Sequence, residues 1–237
     1  MRREAVPLQV LTWPNRRELA RRLPRLLAGI VLLGVGIAPV LDAELGVAPW
    51  DVLHQGLSEL TGLSFGLVVV LVGLVVLLAW IPLKQRAGIG TIINTLTVGF
   101  IVNGTLDLLP EVHNLAVRWA MLLGGLVVTA FGMALYIGAG LGPGPRDGLM
   151  TGLVVRTGRS VRLVRSVIEV TVLTVGWLLG GTVGIGTVMY AFGIGPLVQL
   201  FVRLTPARLQ AGWVLADTAQ HRVDAARIDL EAAGRQG

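Results

Sequence analysis

The chain has no cysteine, few aromatic residues and little charge. Without cysteine, no disulfide framework and no cysteine-based metal site can form. Aromatics make up 5% of the 237 residues, so an aromatic-rich nucleic-acid surface is not expected and no nucleic-acid partner is assigned. Charged residues make up only 14%, against about 25% in an ordinary soluble domain. Lysine is nearly absent too, with Lys84 the only one. What the chain does have is apolar bulk: 54% hydrophobic residues, 32 glycines and a mean hydropathy of +0.75. That content excludes disorder and points to an all-α polytopic membrane protein.

Six apolar stretches are each near the length a helix needs to cross about 30 Å of hydrocarbon. They run over Leu26–Ala43, Leu67–Leu83, Ile89–Leu109, Ala120–Ala139, Val167–Gly181 and Ile185–Leu204. Val68–Leu78 is apolar without a break, whereas a barrel strand would alternate. Arginines precede the first stretch, and Lys84 and Arg86 follow the second. Arg146, Arg156, Arg159, Arg162 and Arg165 lie between the fourth and fifth, and Arg203 and Arg208 close the sixth. The other connections are poor in arginine and lysine. Six spans with both termini cytoplasmic put every basic loop inside. Trp50, Trp80, Trp119 and Trp177 fall near span ends, where interfacial anchors sit. The basic residues before Leu26 read as an amphipathic inner-leaflet segment (residues 1–25). Residues 207–237 read as a polar cytoplasmic tail.

The chain also matches itself at a shift of 96 residues. Leu45-Gly46-x-x-Pro49-x-Asp51-x-Leu53 recurs as Leu141-Gly142-x-x-Pro145-x-Asp147-x-Leu149, and Gly88-Ile89-Gly90-Thr91 recurs as Gly184-Ile185-Gly186-Thr187. Two repeats follow, residues 26–110 and 119–206. Each holds three spans and a short helix after its first span. Three is odd, so the second repeat enters the bilayer from the opposite side, an inverted arrangement common among secondary transporters. The short helices are either re-entrant or surface-lying. Pro49 and Pro145 suit a first helical turn. Asp51 and Asp147 then sit at the positive end of the helix dipole.

Several residues are candidates for a solute pathway. Asp51, Asp147 and Arg146 lie on the short helices, and Asn94, Asn103 and Gln199 lie within spans three and six. Glu169 is the most membrane-embedded carboxylate, a functional candidate by default, although Arg165 one turn away offers a local ion pair. Asn94 corresponds to Tyr190, and Asn103 to Gln199. The glycines of Gly-Ile-Gly-Thr favour close helix packing. The same holds for Gly176-x-x-x-Gly180. Arg156, Arg159, Arg162 and Arg165 form a stripe suited to topology or to anionic lipid headgroups. His54, His113 and His221 are scattered, with no metal-ligand spacing. No serine elbow appears. No catalytic residue, metal or cofactor is therefore expected, and the chain is not read as an enzyme.

The strings Leu45-Gly46-Val47-Ala48-Pro49-Trp50-Asp51, Gly88-Ile89-Gly90-Thr91 and Gly142-Pro143-Gly144-Pro145-Arg146-Asp147 resemble the YczE branch of the YczE/YyaS/YitT membrane proteins. The resemblance covers about Arg16 to Pro206. It implies a multi-span protein of the bacterial cytoplasmic (inner) membrane and supplies no substrate, reaction or site residue. The leading expectation is a small-solute transporter or permease-like protein with its pathway between the repeats. The alternative is a non-transporting scaffold or regulator acting through protein partners or lipids. Oligomeric state is not readable.

Overall fold

The computed structural model describes residues 15–205. The tail at 207–237 and the first part of the basic N-terminal segment lie outside them. The described residues form eight helices: α1 (Arg16–Asp42), α2 (Pro49–Thr61), α3 (Phe65–Trp80), α4 (Ile89–Leu106), α5 (Leu115–Gly138), α6 (Pro145–Thr157), α7 (Val161–Leu178) and α8 (Ile185–Leu204). No strand occurs among the described residues.

Local chemistry sets the boundaries. Asn15 caps α1 by accepting the Glu18 N–H at 2.9 Å, so the helix starts ten residues before the apolar run rather than at Leu26. Residues 16–25 are therefore continuous with the first span and not a separate segment. Pro49 and Pro145 occupy first-turn positions of α2 and α6, where a missing N–H costs nothing. Gly62 and Gly158 end the same helices at φ 70° and 66°. A side chain is strongly disfavoured in that left-handed region. Both expected short helices are thus present, each 13 residues long.

Four helices are long and apolar enough to cross a bilayer unaided: α1, α4, α5 and α8. The other two expected spans fall short as single helices. Uniformly apolar α3 has 16 residues and follows α2 across a bend of 113°. The fifth expected span begins earlier and ends earlier than its apolar run, because Ser160 caps α7 and the chain turns at Gly180 (φ 102°). It carries Arg162, Arg165 and Glu169.

The core of the fold is the α1–α5 pair. Gly29 of α1 lies against the Gly132 carbonyl of α5, and Gly36 lies against the Gly125 carbonyl. The order reverses along the second helix, so the pair is antiparallel. A methyl group on Gly29 would lie 2.6 Å from the Tyr136 nitrogen. Glycine here permits backbone-to-backbone approach, the usual packing device where lipid supplies no hydrophobic drive.

The contacts between the two copies are reciprocal. The Gly90 N–H donates to Leu141 O at 2.9 Å, and the Gly186 N–H donates to Leu45 O at 2.8 Å. Each bond is the other shifted by 96 positions, with the copies exchanged. Likewise α2 packs on α7, and α6 packs on α3. Gly56 meets Leu179, and Gly152 meets Leu83. The Gly-Ile-Gly-Thr motifs therefore pack helix starts tightly. Their threonines take the Gly88 and Gly184 N–H groups, both at 3.2 Å. Gly176 presses on the Val52–Leu53 backbone in the same manner, while Gly180 meets nothing and serves the turn.

Candidate functional site

The first turns of α2 and α6 meet at a cavity of about 150 Å³. The volume suits a few waters or a small solute. Its walls come from both copies: α1, α2, α3 and α4 of the first, and α5, α6 and α8 of the second. Leu33 of α1 and Val72 of α3 lie toward the middle of their helices, and α5 contributes its C-terminal half, from Thr129 to Ile137. One side is apolar, built from the valines of α3 with Val98, Met133 and Ile137. The polar side is an ion cluster.

Asp51 is the centre of that cluster and is only 3% exposed. One of its carboxylate oxygens, Oδ1, is 3.2 Å from His54 Nδ1 and accepts from Arg146 Nη2 at 3.2 Å. Positions 51 and 54 fall on one face of α2, which is why the carboxylate and imidazole meet. Arg146 comes from α6, so this ion pair bridges the copies. Its guanidinium also lies over the Trp50 ring, 5.1 Å from the centroid, a favourable cation–π position. His54 is closed off by Phe65, whose ring stands edge-on at 5.7 Å. A buried carboxylate is tolerable only with such partners.

Asp147 has the same helix position and a different fate. It stays accessible, it bonds the Gly144 backbone, and it forms no ion pair among the described residues. Tyr136 and Asn94 complete the polar lining. The Tyr136 hydroxyl and Asn94 Oδ1 are buried without a protein hydrogen-bond partner.

Four of the sequence candidates thus converge here: Asp51, Asp147, Asn94 and Arg146. Asn94 and its counterpart Tyr190 both line the cavity, as expected for residues facing the same interface. Three candidates lie elsewhere. Asn103 holds α3 to α4, accepting the Gly66 N–H at 2.8 Å and donating to Ser64 at 2.9 Å. Gln199 is exposed on α8. Glu169, outside the cavity lining, makes the local ion pair with Arg165 at 2.9 Å. The arginine stripe is similarly divided, with Arg156 donating to Pro82 O at 3.0 Å and Arg159 and Arg162 exposed.

Sequence reasoning missed several lining residues. His54 has no metal-ligand spacing to the other histidines, and its i,i+3 spacing from Asp51 is the readable signal. Two tryptophans are not interfacial anchors. Trp50 lies beneath Arg146. Trp80 is 2% exposed and donates to Pro145 O at 3.0 Å, because Gly148 leaves room for its ring. Trp119 packs on the core, and only Trp177 among the four is largely exposed. Tyr136 had no signal, since its counterpart is Val40.

Apolar helices of spanning length around a buried ion cluster define an integral membrane protein, with lipid as its surroundings. The chain belongs to the Family of unknown function (DUF6198), whose model matches residues 20–203. It is 40% identical over 179 residues to an uncharacterized protein of Haemophilus influenzae, covering 76% of this chain and 82% of that one. The uncharacterized membrane protein YczE of Bacillus subtilis is 30% identical over 187 residues, 78% of this chain and 86% of YczE. The uncharacterized protein YyaS of the same organism is 28% identical over 183 residues, 73% of this chain and 89% of YyaS. No solved structure matches.

Proposed function

We propose that the chain is a small-solute transporter or permease-like protein, rather than an enzyme, with its pathway between the two copies. The observation that carries this reading is the cavity lined from both copies, where the first turns of two half-length helices meet beside a buried ion cluster. Secondary transporters with inverted repeats place their sites in such a position, at the ends of discontinuous helices. The antiparallel α1–α5 pair supports the inversion. An axis exchanging two antiparallel spanning helices lies in the membrane plane. In this reading α2–α3 and α6–α7 complete a six-span arrangement in the bacterial cytoplasmic membrane, with both termini cytoplasmic.

The absence of cysteine makes the test direct. Single-cysteine variants His113→Cys and Arg159→Cys should react with an impermeant thiol reagent from opposite faces. Labelling from one face overturns the inversion. Tyr190→Cys, at the cavity, should react with a small hydrophilic thiol reagent in intact membranes. A cavity position inert from both faces, in folded protein, counts against a pathway.

A further inference from the structure

The polar groups of the cavity are unequally satisfied. Arg146 is committed, paired with Asp51 and stacked on Trp50. Asp147, the Tyr136 hydroxyl and Asn94 Oδ1 have no side-chain partner among the described residues. Tyr136 is only 3% exposed, so its hydroxyl faces the cavity at a real desolvation cost. Each of these three groups offers oxygen.

The charge count points the same way. With His54 neutral, the lining holds two carboxylates against one guanidinium, and Arg165 on α7, whose charge also reaches Asp147, is itself balanced by Glu169. An anion would meet a surplus negative charge and a guanidinium already engaged. The helix N-termini do not reverse this. Such ends favour anions, but each already carries its own carboxylate, Asp51 on α2 and Asp147 on α6. A cation with N–H donors matches what remains. The apolar wall beside it suits a short alkyl group.

There is also an open side. In the first copy, Gly66 and Gly99 press backbone to backbone and seal α3 against α4. In the second copy Arg162 stands where Gly66 does, and α7 does not pack extensively on α8 among the described residues. Asp147 lies within electrostatic reach of Arg165 on α7 and is the accessible carboxylate of the two.

We propose that the cavity binds a small organic cation, a protonated alkylamine. Asp147 is its counter-ion, and the Tyr136 hydroxyl and Asn94 amide oxygen accept its N–H groups. The inference rests on the cavity being a solute site and names the class of solute. The test is calorimetric titration of the full chain in detergent micelles with n-propylammonium chloride and, separately, sodium propionate. These ions match in size and differ in sign. Saturable propylammonium binding without propionate binding is expected.

Asp147→Asn should weaken propylammonium binding at least about tenfold, the loss of one charge-assisted contact. Tyr136→Phe should weaken it by a smaller factor, while Gln199→Ala on the outer face should leave it unchanged. Thermal melts confirm that each variant is folded. Preferential propionate binding, binding of neither ion, or an unchanged propylammonium affinity in folded Asp147→Asn overturns the proposal. Tyr190→Cys labelling separates the two readings. If that residue is labelled and the amine fails, only the solute class is lost; if labelling fails, the pathway reading falls with it.

Discussion

The two copies start from one sequence pattern and end in different states. In the first copy, α3 lies along α4, held by glycine contacts and by Asn103. In the second, α7 packs on α2 and turns from α8. The substitutions explain this. Gly66 and Gly73, which face α4, correspond to Arg162 and Glu169. Neither can sit in a backbone-to-backbone seam. The aspartates diverge with the helices: Asp51 is sealed among partners and Asp147 is accessible. The shared pattern thus sets the frame, and a few residue differences leave one side closed and the other loose.

Exchanging the seam residues should break this comparison most strongly. Gly66→Arg places a long cation against Gly99 and should cost more than about 3 kcal/mol, beyond ordinary overpacking. Little folded protein should survive extraction in a size-exclusion assay. The reverse change, Arg162→Gly, removes an exposed side chain from a helix and should cost about 1 kcal/mol. Equal losses would show that the copies are packed alike.

The next prediction sharpens the same contrast. Trp80 rests on Gly148, and the equivalent contact is Gly176 on Val52. The large and small partners have changed places between copies. Trp80→Gly should cost about 3–5 kcal/mol through the void it leaves. Gly148→Val should fail by collision with the ring. The double variant rebuilds the α7–α2 pairing at the α3–α6 contact. It should be more stable than the sum of the single losses by about 1–3 kcal/mol, read from thermal unfolding in detergent. Simple additivity would deny the equivalence.

A smaller difference is expected between the two aspartates. Asp51→Asn removes the carboxylate that Arg146 and His54 share. Breaking a fully buried pair costs about 3–5 kcal/mol. Arg146 is 39% exposed at its side chain, so about 2 kcal/mol is expected here. Asp147→Asn should stay within about 0.5 kcal/mol, as for a group with no ion pair to lose. Matching shifts in melting temperature would remove the distinction drawn between the sites.

Much of the frame was legible because its signals are local or repeat in register. Apolar runs gave the helices, Pro49 and Pro145 gave the starts of α2 and α6, and the 96-residue shift predicted which glycines would pack. The site was only half legible. Asp51, Asp147 and Asn94 announced themselves as polar residues in apolar surroundings. Trp50 and Trp80 did not, since a tryptophan near a span end reads as an anchor until the opposite copy supplies Arg146 or Gly148. Tyr136 corresponds to valine and carried no repeat signal at all. The turn of α7 away from α8 could have been read, because Arg162 and Glu169 replace glycines.

Asn103 and Gln199 show how far equivalence in register can mislead, and they give the smallest expected effect. Both are amides within spans, 96 positions apart, and both could have faced the interface. Asn103 became interhelical glue because Ser64 and the Gly66 N–H lie within its reach. Gln199 has the matching Ser160 in sequence, but α7 has moved from α8 and the amide is exposed. Interhelical hydrogen bonds in membranes average about 0.6 kcal/mol. Asn103→Ala, which loses two, should lower stability by about 1 kcal/mol. Gln199→Ala should leave the melting temperature unchanged. If Gln199→Ala instead destabilises as much as Asn103→Ala, α7 closes on α8 in the bilayer, and the looseness of the second copy is not a resident feature of the fold.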